Sequence, residues 1–197
     1  NCCFCVDIGQ NQMFAAQMLR VKEKQSFMTS GGMAPMGYAI PVAIGACIAS
    51  NSEKVCIAIV GDGGFHISTQ ALMLLSQYNL PIKVIVINNK SLGMIVQFQG
   101  LYFSGNETAT TALGGYAVPN IEYLAKSYNI QYYHFIDNNA SNISFWDDVL
   151  CNNSPTIIEV ELTSKTIVSP KLEVNRPIED LTPRLSDEEL KASLFDS

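Results

Sequence analysis

Between Lys54 and Gln99 the sequence switches twice between hydrophobic periods, and that alternation admits few folds. Lys54 to Val60 is an apolar, β-branched run of strand length broken by Gly61-Asp62-Gly63-Gly64, and Ile82 to Ile87 is a second such run ending in Asn88-Asn89. Between them Ile67, Ala71, Leu74, Leu75 and Tyr78 recur at helical spacing, from a start near Phe65 to a stop at Asn79, with Pro81 beyond. Strand, helix and strand within about 35 residues form a βαβ unit, whose crossover is right-handed and whose strands are parallel. Both polar turns then fall on one edge of the sheet, and Asp62 and Asn89 meet there if their strands are neighbours. That edge is where open α/β sheets bind ligands.

The residue types suggest which ligand. Asp62 offers a hard anionic oxygen and Asn89 an amide oxygen, and the loop that follows can turn a backbone carbonyl, that of Ser91, toward the same point. Three such oxygens suit Mg²⁺, which completes its shell of six with phosphate oxygens and water. Gly61, Gly63 and Gly64 let a phosphate approach the backbone, and a helix starting near Phe65 aims its positive end at it. A magnesium-bound diphosphate is the expected occupant. Asp-Gly alone marks a hairpin and Asn-Asn an ordinary turn, but a hairpin needs strands on both sides, and here a helical pattern follows the glycines.

Four segments carry a family resemblance: DIGQNQMFAAQ at 7–17, TSGGMAPMGYAIPVAIGA at 29–46, GDGGF at 61–65 and INNKSLGMIVQFQ at 87–99. In this order they resemble thiamine-diphosphate-dependent enzymes of the acetolactate-synthase-like branch, from about Cys5 to Phe103 and more weakly to about Leu162. The resemblance implies an α/β fold, a three-layer doubly wound and mostly parallel sheet of the thiamine-diphosphate-binding type, over residues 1–165, with 166–197 a tail carrying a short helix. It implies thiamine diphosphate and Mg²⁺ as cofactors, with Asp62, Asn89 and Ser91 on the metal. The implied activity is decarboxylation of a 2-keto acid such as pyruvate and transfer of the two-carbon unit to a carbonyl acceptor.

The same resemblance assigns further residues. Gln10 and Asn11 match diphosphate contacts, although the family usually has His where Asn11 stands. Met36 matches the bulky side chain that props the cofactor into a bent form, a sharper task than filling core. Ala34 stands where Gly is common and supplies a backbone acceptor, while Gly93 and Met94 match backbone contacts. Phe98 falls where acetolactate synthases generally carry Trp over the substrate pocket. The family's activating Glu lies on a separate pyrimidine-binding domain, usually of a partner subunit, and no glutamate here stands in a motif that could serve. The chain is therefore expected to hold no catalytic residue, to be inactive alone, and to act in a homodimer or homotetramer. Its opening inside a strand reads as a piece of something longer that lacks the pyrimidine-binding and middle domains. Two other readings stay open: a related acetyl-transferring enzyme of surface-polysaccharide keto-sugar synthesis, to which Asn11, Phe98 and the tail point, and a non-catalytic cofactor-binding domain. A nucleotide-binding Rossmann domain is poorer, because no G-x-G-x-x-G follows the first strand.

The remaining segments read in order. Cys2 to Val6 is a first strand, and a helix capped by Asn11 follows with Met13, Phe14, Gln17 and Leu19. Tyr38 to Ser50 is an apolar helix, a short helix ends at Phe98, and 100–118 is an aperiodic segment, a lid or a disordered stretch, expected to be mobile without the rest of the enzyme. Asn120 caps a helix ending at Asn129, Ile130 to Ile136 is a strand, and Ile143 to Cys151 is a helix. Pro155 to Leu162 alternates as an edge strand would, leaving Glu159 and Glu161 in water. In the tail, Ser186 and Glu189 form a capping box before Leu190 and Leu194. A net charge of −6 without any basic cluster argues against nucleic acid. No apolar run reaches the roughly 18 residues of a membrane span, and the start lacks a secretory signal, so a cytoplasmic location is expected. The six cysteines read as reduced core residues.

Overall fold

A computed structural model describes residues 1–136 and 143–193. The apolar runs pair into one parallel sheet of β1 (Cys2–Val6), β2 (Gln25–Thr29), β3 (Val55–Gly61), β4 (Ile82–Asn88), β5 (Gln131–Ile136) and β6 (Thr156–Glu161), in the order β2-β1-β3-β4-β6-β5. The connections hold α1 (Gln10–Met18), α2 (Ala39–Ala49), α3 (Asp62–Ile67), α4 (Leu72–Gln77), α5 (Gly93–Tyr102), α6 (Ile121–Ser127) and α7 (Ile143–Cys151). One sheet face, with Cys5, Ala58, Val60, Val84 and Val86, is buried against Ile40, Ala43 and Cys47 of α2, Leu72 and Leu75 of α4, and Ala125 of α6. Right-handed crossovers place a helix on one face when the chain moves one way along the sheet and on the other when it reverses. The chain reverses from β1 to β2 and from β5 to β6, so α1 and α7 cover the opposite face; there Phe145 of α7 packs edge-on against Tyr133 and Phe135 of β5. The result is the expected three-layer, doubly wound sheet. Its strand order turns around between β1 and β3, which opens a crevice beyond their carboxyl ends.

Several local expectations fail for identifiable reasons. The edge strands are β2, which the sequence pattern does not announce, and β5; β6 lies inside the sheet between β4 and β5. Glu159 is therefore buried, its carboxylate accepting from the Asn88 amide and the Tyr132 hydroxyl of the flanking strands, while Glu161 is half-buried and pairs with Lys90 and His134. The helix after the glycines starts at Asp62, not near Phe65, and is broken at Ser68, whose hydroxyl donates to the Gly64 carbonyl at 3.0 Å; a 3₁₀ turn at Thr69–Ala71 then leads to α4. Gly9, at φ 129°, rather than Asn11, is the N-cap of α1. Helix α5 continues past Phe98 to Tyr102. The segment after it is pinned to the β4 loop by Leu92 N donating to Thr110 O at 2.9 Å and by a bridge between Ser91 and Thr111. Of the cysteines, all free, Cys151 is exposed and Cys2 half-buried, so only Cys3, Cys5, Cys47 and Cys56 are core residues.

The chain divides into two compact units, Asn1–Thr166 and Ile167–Ser197. In the second, β7 (Lys171–Leu172) and β8 (Leu181–Thr182) pair antiparallel, Arg176 bridges Glu173 and Asp180, and α8 (Asp187–Ser193) opens with the expected capping box, Glu189 N donating to Ser186 Oγ at 3.2 Å. Leu194 lies outside the described residues. Among the described residues no helix is long and apolar enough to cross a membrane.

Lys83 on β4 has no solvent exposure, and its ammonium donates to Asn152 O at 2.9 Å, Asn152 Oδ1 at 2.6 Å and Ser154 O at 2.6 Å. Lys83→Met keeps the length of the side chain but orphans three acceptors. It is expected to lower unfolding stability by about 1–3 kcal/mol in a urea titration.

Candidate functional site

Four loops, after β1, β2, β3 and β4, line a cavity of about 220 Å³ at the carboxyl edge of the sheet. Gly61↔Ile87 is the last registered pair of β3 and β4, so the two chains leave the sheet at one level and Asp62 and Asn89 enter the same cavity. Also in its lining are Gln10, Asn11, Ala34, Met36, Gly61, Gly63, Gly64, Ser91, Gly93 and Met94, which brings together every candidate position except Phe98. Phe98 lies farther along α5, 40% exposed, and its ring packs at a tilt against Tyr102 and Phe103 instead.

Asp62 is 3% exposed, and its Oδ2 is buried with no hydrogen-bond partner among the described residues. Burial pushes its pKa up to about 6, against the pull of the Gly63 N–H, the Tyr116 hydroxyl, its own N–H and the Ser91 N–H. The Ser91 N–H also donates to Asn89 Oδ1 at 3.1 Å, so one amide faces both Asp62 and Asn89. Ser91 Oγ is the second buried polar side-chain atom without a partner among the described residues. An anionic oxygen left unpaired beside an amide oxygen and a hydroxyl is a hard donor set, and it fits a divalent cation such as Mg²⁺.

The cavity wall is braced by side chains that cross between loops. Gln10 Oε1 accepts from Asn89 Nδ2 at 2.9 Å, and Gln10 Nε2 donates to Thr166 O at 2.9 Å. A Cβ on Gly93 would come within 2.2 Å of that Gln10 oxygen, so a larger residue at the start of α5 would have to push the Gln10–Asn89 pair aside. Asn11, buried, donates to Asp7 O at 2.8 Å, tying α1 back to β1. Met36 lies over Gly63, its Cε 2.8 Å from where a Cβ would stand. Ala34 sits at φ 50°, the left-handed region that glycine occupies more easily.

Two contributors are invisible to pattern reading. Asp7, fully buried, accepts from Ile8 N at 2.9 Å and Gly37 N at 3.0 Å through Oδ1, and from Ala39 N at 2.8 Å through Oδ2. It fastens the loop that carries Ala34 and Met36 to the end of β1; an acidic residue closing an apolar strand is the only hint in the sequence. Gly64 must lack a side chain because a Cβ would lie 2.7 Å from this carboxylate, a reason independent of any ligand. Tyr116 reaches the site from the aperiodic 100–118 segment, where nothing in the pattern marks it.

Asp7→Asn turns amide hydrogens toward backbone donors and is expected to cost about 2–4 kcal/mol of stability, read by urea titration. For Asp62 the folded pKa of about 6 lies above the unfolded value near 3.9, so between these the folded state holds a proton that the unfolded state releases. The contribution of Asp62 to stability therefore falls as pH rises through that window and stays unfavourable above it. Asp62→Asn is expected to stabilise the cofactor-free protein by about 2–3 kcal/mol at pH 8 and to have little effect below about pH 4.

Comparison with known proteins agrees with this geometry. Residues 7–160 match the family described as "Thiamine pyrophosphate enzyme, C-terminal TPP binding domain". The acetolactate synthase large subunit of Lactococcus lactis subsp. lactis is 37% identical over 166 residues, covering 84% of this chain and 28% of that protein. The acetolactate synthase isozyme 2 large subunit of Escherichia coli is 29% identical over 186 residues, 94% of this chain and 33% of its own length. Acetolactate synthase 2, chloroplastic, of Brassica napus is 42% identical over 112 residues, 57% of this chain and 17% of its own. The chain thus spans about a third or less of the length of these relatives. A doubly wound sheet with its cavity at the β1/β3 reversal, matched over most of its residues by one family, makes this chain a member of the thiamine pyrophosphate enzymes, corresponding to their C-terminal TPP-binding domain.

Proposed function

We propose that this chain is the diphosphate- and Mg²⁺-anchoring part of an acetolactate synthase-like enzyme, which decarboxylates a 2-keto acid such as pyruvate and passes the two-carbon unit to a carbonyl acceptor. The observation that carries the metal assignment is the unpartnered, buried Oδ2 of Asp62 at a cavity shared with Asn89 and Ser91. In this reading the Asp62 carboxylate, the Asn89 amide oxygen and the Ser91 carbonyl hold Mg²⁺, and phosphate oxygens and water complete the shell. Gly61, Gly63 and Gly64 give the diphosphate access to backbone N–H groups, with Gln10 and Asn11 at its flank. Ala34, Gly93 and Met94 contact the cofactor through the backbone, and Met36 supports its bend. Thiamine diphosphate, once bound, supplies the carbon nucleophile and the electron sink. What these residues add is position.

The chain supplies no activating glutamate in this reading. Glu159 is engaged by Asn88 and Tyr132, and Glu161 by Lys90 and His134. A pyrimidine-binding domain, on the same polypeptide or a partner subunit of a homodimer or homotetramer, provides the glutamate and closes the open side of the cavity. Phe98 is exposed here and borders the substrate only in such an assembly.

Titration calorimetry with thiamine diphosphate and Mg²⁺ tests the anchoring. Binding is expected to need both together, and Asp62→Ala should weaken it at least tenfold. Binding that is indifferent to Mg²⁺ or to Asp62→Ala would overturn the metal assignment. The 197-residue chain alone is expected to release no carbon dioxide from pyruvate.

A further inference from the structure

Glu159 sits on β6, flanking β4 on the side away from β3, and is 7% exposed. Its Oε1 accepts from Asn88 Nδ2 at 2.6 Å and its Oε2 from the Tyr132 hydroxyl at 2.5 Å. A carboxylate can only accept, so it decides which way the Asn88 amide faces: the NH₂ toward Glu159, the oxygen away. That oxygen accepts from Lys90 N at 3.0 Å. One residue on, Asn89 Oδ1 accepts from Ser91 N at 3.1 Å. Two consecutive Asx turns therefore shape the loop, and Lys90 between them is held at φ 55°, a left-handed conformation unfavourable for a side chain with a Cβ. Such a conformation persists only where its surroundings over-determine it.

His134, Glu159 and Glu161 also come close enough to share a cation. Their ligand atoms are already taken: those of Glu159 by Asn88 and Tyr132, those of Glu161 by Lys90 and His134. The lysine already supplies the positive charge a metal would bring, so the cluster reads as bracing.

We infer that Glu159 is a positioning residue for the cofactor loop: by orienting Asn88 it keeps Lys90 left-handed and so sets where the Asn89 amide oxygen and the Ser91 carbonyl point. This rests on the proposed metal role of Asn89 and Ser91. Glu159 itself touches neither metal nor substrate.

The test measures Mn²⁺, a spectroscopic substitute for Mg²⁺, by the electron paramagnetic resonance signal of the free ion. It uses the assembled enzyme, this chain with its pyrimidine-binding domain, at saturating thiamine diphosphate. Glu159→Leu should weaken Mn²⁺ binding at least tenfold, whereas Glu159→Gln, which still offers Asn88 an oxygen, should stay within threefold. Asn88→Ala should match the leucine variant, and the double variant should be no weaker than either single one, because both remove the same link. Wild-type Mn²⁺ affinity in Glu159→Leu, or additive losses in the double variant, would overturn the inference. Should Glu159→Leu fail to fold, Asn88→Ala must still lose tenfold while Tyr132→Phe, which removes only the second donor, stays within twofold; equal effects would overturn it. If the wild-type enzyme binds no Mn²⁺, or Asp62→Ala binds it as well as wild type, the metal reading itself fails. That result is distinct from intact wild-type binding with an indifferent Glu159.

Discussion

The parallel pairing of β3 with β4 carries everything else. Six residue pairs, from Cys56↔Ile82 to Gly61↔Ile87, fix the level at which the two chains leave the sheet. A slip of one residue would turn either Ala58 and Val60 or Val84 and Val86 out of the core, so hydrophobic burial and loop placement are specified by the same contacts. Apolar burial against α2 and α4 thus holds a carboxylate, an amide and a hydroxyl around one cavity, although burial of Asp62 alone is unfavourable.

Most of the polar groups drawn inside are matched. Asp7 collects three backbone N–H groups, Gln10 and Asn89 bond each other, Lys83 meets three oxygens, and Glu159 receives two donors. Against that background the two unpartnered atoms among the described residues, Asp62 Oδ2 and Ser91 Oγ, are informative because both belong to residues of the same cavity. A chain that satisfies its interior elsewhere has localised the exception where a ligand can enter.

Periodicity made the central βαβ unit and the apolar α2 legible, and of the residues that motif order singled out all but Phe98 line the cavity. Strand order was a different matter. The alternation of Thr156 to Glu161 describes a strand with two unlike faces, but it does not say whether a neighbour lies on each side; that depends on β5 and Tyr132, which a local pattern does not contain. Glu159 consequently looked like a surface charge. Asn11 has the residue type of a cap, yet the geometry at Gly9 places that role two residues earlier and leaves the amide to brace β1. Tyr116 reaches Asp62, and Asp7 reaches Gly37 and Ala39, across long chain separations, and a local pattern does not say where such contacts end.

The late insertion of β6 has a bearing on how the molecule is made. Among the described residues strand β5 pairs only with β6, and Asn88 waits for a partner 71 positions further along the chain. During synthesis β2, β1, β3 and β4 can assemble first, leaving β4 with an open margin and its terminal loop unsupported until Thr156 to Glu161 has emerged and slotted in. A nascent or prematurely ended polypeptide would therefore carry the whole set of cavity residues while lacking the strand that aims them. Vulnerability to mispairing and competence for cofactor capture are decided by the same last arrival.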